Sequence, residues 1–153
     1  MKPSKTRLKP LQRRALYLAS SLLWLSGALW LYYKYFGQVQ GDYGMQAPAA
    51  QPILLEIHGA AAMAFLILLG TLLVDHVPLG WKHKEHRLSG VSLLSTAAVL
   101  ILTGWGLYYI GSSSVRHWTS LVHWTLGLAS APILWMHVRL ARRTGEKKIN
   151  RGG

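Results

Sequence analysis

Four long apolar runs, at residues 15–36, 52–77, 88–110 and 117–140, alternate with short polar segments along this chain. Each reaches the ~20 residues that an α-helix needs to cross about 30 Å of hydrocarbon. The pattern therefore predicts an all-α protein, a transmembrane four-helix up-down bundle joined by short connections. The first run gathers Tyr32, Tyr33, Tyr35 and Phe36 at its far end, where aromatic rings mark a membrane interface. Ser20, Ser21, Ser26, Gly27 and Ala28 give it a small face that lets a neighbouring helix approach. Residues 37–51, with three glycines, one proline and Asp42 as the only charge, read as an irregular outer loop. Pro52 suits the first turn of the second helix, and Pro78 with Gly80 should end it in a charged loop over 78–87. Residues 111–116 form a tight outer turn, and Pro132 sits inside the fourth run, where it kinks the helix or frees a carbonyl.

Charge gives the expected orientation. Of seventeen Lys and Arg, six lie in the first fourteen positions and six between Arg139 and Arg151. Lys82, Lys84 and Arg87 fall in the 78–87 loop, and only Lys34 and Arg116 fall on the opposite side. Basic residues collect on the cytoplasmic face, so both termini are expected there. The domains follow as a basic arm (1–14), a helical membrane domain (15–140) and a basic tail (141–153). The arm should meet anionic lipid headgroups. The first run is too long for a removed signal peptide and is expected to be retained. A net charge of +12 would suggest nucleic acid in a soluble protein, but no soluble stretch is long enough to form a basic face. The absence of cysteine excludes disulfides, thiolate-held clusters and covalent haem attachment.

The candidate chemistry lies in the histidines. An ionisable residue inside a membrane span is costly unless neutral, paired or coordinated, which makes it a functional candidate. His123 and His137 stand fourteen residues apart in the fourth run. That spacing is about 21 Å of rise and returns to within roughly 40° of the same face. His58 and His76 stand eighteen apart in the second run, five full turns on one face. His58 and His123 share a depth near the outer interface, while His76 and His137 share one near the inner. Two imidazole pairs at two depths suit two stacked haems, each with six-coordinate iron fit for electron transfer. His86, at the inner mouth of the third run, competes with His76 for the place opposite His137. His83 reads as a solvated loop residue, and His117 as an interfacial anchor or propionate contact. Gly90 and Gly104 match the two depths on the third helix, where backbone without a Cβ lets a porphyrin edge approach, and Gly59, Gly70 and Gly127 offer the same. Arg116 and Lys34 on the outer side, and Arg87 and Arg139 on the inner, are placed to meet propionates. The bland alternatives are hydrogen bonds between helices for the histidines and plain helix packing for the glycines.

The segments LLEIHGAAAMAFLILLGTLLVDH, HRLSGVSLLSTAAVLILTGWGLYY and VRHWTSLVHWTLGLASAPILWMHV resemble the small bacterial membrane cytochromes b. That group includes cytochrome b561-like proteins and the cytochrome b subunits of formate dehydrogenases and hydrogenases. The resemblance covers roughly residues 53–138. It implies two non-covalent b haems held by bis-histidine ligation, with His123 and His137 on different haems and His58 as the outer partner. Those subunits often take the inner partner from the first helix, which holds no histidine here; the inner partner is therefore His76 by its face, with His86 still open. The resemblance further implies a multi-pass protein of the bacterial inner membrane that transfers electrons as a subunit of a redox complex. Quinone or quinol, a redox protein subunit or a cytochrome c would exchange electrons with it, in lipid and without nucleic acid. A non-redox anchoring subunit is the competing class. A metal-ion transporter using Glu56, His58 and His123 is disfavoured by the apolar midsections, which offer an ion no graded path.

Overall fold

The structure is a computed structural model describing residues 8–42, 44–83 and 86–150, with backbone alone over 144–150. Expectations for residues 1–7, Lys84, Glu85 and the end of the tail lie outside the described residues. The chain is all-α: α1 (Pro10–Phe36), α2 (Ala50–Lys82), α3 (Arg87–Tyr109) and α4 (Ser113–Asn150). Four helices, within Pro10–Phe36, Ala50–Lys82, Arg87–Tyr109 and Ser113–Arg143, are long and apolar enough to cross a membrane, the build of a multi-pass membrane protein.

Where the helices begin and end departs from the apolar pattern, because backbone chemistry decides it. α1 starts at Pro10, five residues before the apolar run, so residues 10–14 of the expected arm are helical. Lys9 is held extended at φ −58°, ψ 144°, as the residue before a proline tends to be, and the proline supplies a ready-set φ for the first turn. α2 starts at Ala50 and passes through Pro78 to Lys82. A proline removes one helical hydrogen bond and crowds the preceding turn without having to end the helix. The last turn is closed by His83 N–H donating to Leu79 O at 3.0 Å. The expected 78–87 loop therefore shrinks, and His76 stands well inside α2 rather than at its frayed end. α4 begins at Ser113, retains Pro132 in its interior and continues to Asn150, so the expected tail is helical backbone up to that point.

The expected irregular outer loop contains a small antiparallel hairpin, β1 (Val39–Gly41) with β2 (Gly44–Gln46), in which Gly41 faces Gly44. Gly44 has φ 110°, open to glycine and strained for any other residue, and this lets the chain reverse. Two glycines in six paired positions left no alternation of apolar and polar residues from which to read strands.

The fold divides into two compact units, residues 8–73 and 74–150 among those described. In the first, α1 and α2 run antiparallel. Gln12 Nε2 donates to Thr71 Oγ1 at 2.8 Å near one end, and Ser26 meets His58 further along. In the second, α3 and α4 run antiparallel, with Ser89 at His137 and Thr103 at His123. The buried residues are small or few: Leu16, Ala19, Ser26, Ala61, Ser89 and Gly106. Large apolar side chains instead face outward, Ile67 at 71% and Leu102 at 68% exposure. Lipid tails are as apolar as leucine, so such surface is at home in a bilayer, and close packing falls to small residues.

This predicts an inverted mutational profile. Ala61→Leu should destabilise the chain by about 1–3 kcal/mol through overpacking. Ile67→Leu should stay within about 0.5 kcal/mol of the parent. Reversible unfolding of the micelle-bound protein in a denaturing detergent measures both.

Candidate functional site

Helices bring three of the four leading histidines against a neighbour in the same way. His58, on α2, places Nδ1 3.1 Å from Ser26 Oγ and 3.0 Å from Leu23 O of α1. His123, on α4, places Nδ1 2.9 Å from Thr103 Oγ1 of α3. His137, fourteen residues further along α4, places Nδ1 2.8 Å from Ser89 Oγ of α3. All three imidazoles are half-buried. The equal fourteen-residue steps from Ser89 to Thr103 and from His123 to His137 are what an antiparallel pair needs to make both contacts at once.

A glycine follows each hydroxyl. A Cβ built on Gly27 would stand 3.1 Å from His58 Cε1, and one on Gly104 would stand 3.1 Å from His123 Cε1. Gly90 is looser, with a built Cβ 4.0 Å from His137 Cε1. Gly90 and Gly104 thus clear an imidazole edge, where sequence reasoning assigned them to a porphyrin edge. Gly59 and Gly70 meet nothing within 4 Å, and Gly127 meets Leu100. The triplets Leu25–Ser26–Gly27, Leu88–Ser89–Gly90 and Leu102–Thr103–Gly104 were the overlooked signal: the same Leu-(Ser/Thr)-Gly pattern in three apolar runs.

Around His137 the second unit collects further histidines. His86 caps the start of α3, with its ring centroid 6.4 Å from that of His137 and the planes 80° apart. Its backbone is left-handed, at φ 49° and ψ 33°, and its carbonyl accepts from Gly90 N–H at 2.9 Å and from Ser89 Oγ at 3.1 Å. His76, on α2, also lies within electrostatic reach of His137. Both candidates for the inner partner therefore stand near the same ring. Among the described residues no group of three or more His, Asp or Glu forms a cage for a bare metal ion.

Three cationic side chains stack on aromatic rings. The Arg87 guanidinium lies 4.7 Å over the Trp81 ring and donates from Nε and Nη2 to Trp81 O. Arg139 lies 4.5 Å over Trp135, and Lys34 lies 5.2 Å over Trp30. Such cation–aromatic stacks suit a membrane interface. Arg116 and His117 are exposed in the first turns of α4, with His117 edge-on to Trp118 at 5.8 Å. Glu56 is exposed on α2.

Comparison with protein-family models, with curated proteins and with solved structures found no match.

The glycine contacts predict a graded series. His123 is fixed to Thr103 at 2.9 Å, so it has little room to retreat from a new methyl group at 3.1 Å. Gly104→Ala and Gly27→Ala should each cost about 1 kcal/mol or more in helix-pair stability by overpacking. Gly90→Ala should be neutral within about 0.5 kcal/mol. Detergent-unfolding midpoints of the three variants give the order.

Proposed function

We propose that this chain transfers electrons across the bacterial inner membrane through two non-covalent haem b groups held by histidine pairs. The observation that carries the reading is the shared placement of His58, His123 and His137. Each stands within a membrane-length apolar helix and has its Nδ1 edge tied to a neighbouring helix. Imidazole with a supported Nδ1 is the donor a haem iron takes in electron-transfer proteins, and the apolar flanks suit a hydrophobic macrocycle. The residues present therefore fit the group.

In this reading the bound haems supply one-electron chemistry, and the protein supplies ligation, orientation and exclusion of water. His58 and His123 are the outer ligands by their matching depth in the sequence. For the second pair, Ser89 of α3 meets the Nδ1 edge of His137. His76 shares the His58 face of α2, five full turns on, whereas His86 is the left-handed residue that precedes α3; His76 is therefore the assigned partner. The continuation of α2 through Pro78 supports it, because His76 has a full turn of helix beyond it. Arg and Trp stacks anchor the His137 end at the headgroups. By the excess of basic residues, that end and both termini face the cytoplasm. The chain has no flavin, nucleotide or thiolate motif, so it works as a membrane subunit exchanging electrons with quinol and with a redox protein partner, an attached dehydrogenase subunit or a cytochrome c.

A pyridine haemochrome assay on the purified chain should count two haems b. His76→Ala should retain one and lose about half of the reduced α-band, and His86→Ala should retain both. A count of zero in the parent ends the reading. Loss of a haem in His86→Ala but not in His76→Ala moves the inner ligand to the start of α3.

A further inference from the structure

We propose that Ser26, Ser89 and Thr103 are positioning residues that lock His58, His137 and His123 as the Nδ1–H tautomer, so that each presents the lone pair of Nε2. The inference deepens the haem reading and rests on it only for the identity of the metal. A hydroxyl has one hydrogen to give. Thr103 Oγ1 donates it to Val99 O at 2.6 Å, one turn back on its own helix. Ser26 Oγ donates to Leu22 O at 2.6 Å, and Ser89 Oγ to His86 O at 3.1 Å. In apolar surroundings this back-bonding is how a helical hydroxyl is satisfied. With its hydrogen engaged, each oxygen faces the imidazole as an acceptor, and the imidazole must donate from Nδ1. At His58 a second contact makes the same demand independently. Leu23 O, 3.0 Å from Nδ1, is a carbonyl and can only accept.

A neutral imidazole carries one N–H, so donation at Nδ1 makes Nε2 the ligand nitrogen. In water the preference runs the other way, toward the proton on Nε2, so the protein has to impose this state. At His58 and His123 the glycine after the hydroxyl, Gly27 and Gly104, completes the device by admitting the ring edge close enough for the bond. Ser89 differs from the other two in one respect. Its acceptor is the carbonyl of His86, the left-handed residue at the start of α3, so the α2–α3 connection is tied to the His137 ring.

The same bond has a second consequence. Donation from Nδ1 raises the basicity of the ligating nitrogen, which favours the ferric state and lowers the reduction potential. Removing the hydroxyl should weaken haem binding at that site by about 10–100-fold. It should also raise the potential, and each tenfold shift of the ferrous–ferric ratio corresponds to about 59 mV for one electron.

The test uses the full chain with ¹⁵N-labelled histidine, prepared haem-free and haem-loaded, as parent, Thr103→Val and Thr103→Ser. Nitrogen shifts of the haem-free parent should give His58, His123 and His137 as the Nδ1–H tautomer. Thr103→Val should convert His123 to a mixture while leaving His58 and His137 unchanged, and Thr103→Ser should restore the parent state. In the loaded protein, Thr103→Val should raise the potential of one haem by a tenfold shift or more, and Thr103→Ser should return it. A parent with its proton on Nε2 overturns the proposal, as does Thr103→Val with unchanged tautomer and unchanged potential. A chain that never binds haem yet shows Nδ1–H at all three sites removes the haem reading and leaves this one standing.

Discussion

The unmet hydrogen bond of an imidazole in hydrocarbon is the constraint around which this structure is arranged. Leaving a polar group unpaired in an apolar medium costs several kcal/mol, more than almost any single packing contact returns. Here the remedy is a hydroxyl on the adjacent helix, 2.8–3.1 Å away, in both compact units. The remedy dictates its surroundings. A hydroxyl is short, and at Gly27 and Gly104 the glycine beside it leaves room for the imidazole edge. The helices α3 and α4 must keep a constant register, so that the fourteen-residue spacing on one meets the fourteen-residue spacing on the other. The hydroxyl must itself be satisfied, which its own helix does. Among the described residues no buried side-chain nitrogen or oxygen is left without a partner.

That arrangement also shows what holds the helices together where burial is scarce. Very few side chains are shielded from the surroundings, and the large ones face outward. Close approach at Ala19, Ser26, Gly27 and Ala61 in one unit, and at Ser89, Gly104 and Gly106 in the other, replaces the large-residue core of a soluble bundle. A histidine in such an interface contributes an interhelical hydrogen bond, and in the proposed function its second nitrogen would ligate the haem iron. In that reading stability and haem binding draw on the same histidine contacts.

The existence and type of the four helices were legible in the sequence because each apolar run exceeds what a soluble element needs. Their limits were less so. Pro10 lies outside the apolar run but opens α1, and Pro78 lies at its edge but fails to close α2, since a proline's effect depends on which backbone groups around it have other partners. The hairpin at 39–46 was silent, its glycines carrying no pattern. At the site, His58, His76, His123 and His137 stood out by periodicity alone. Ser26, Ser89 and Thr103 did not, because a lone serine or threonine in a membrane helix usually bonds its own backbone and says nothing of a neighbour. Only the recurrence of Leu-(Ser/Thr)-Gly, matched in spacing to the histidines of the next helix, distinguishes them. Arg87 and Arg139 were assigned by charge and depth, and their stacking on Trp81 and Trp135 depended on side-chain direction that sequence spacing does not carry.

Low-temperature electron paramagnetic resonance of the oxidised full chain in detergent tests the central claim, paired histidine ligation inside the membrane helices, most directly. Two low-spin ferric signals of the bis-imidazole type, with no high-spin signal, are the expected spectrum. A high-spin ferric signal, or a protein without haem iron, would contradict it.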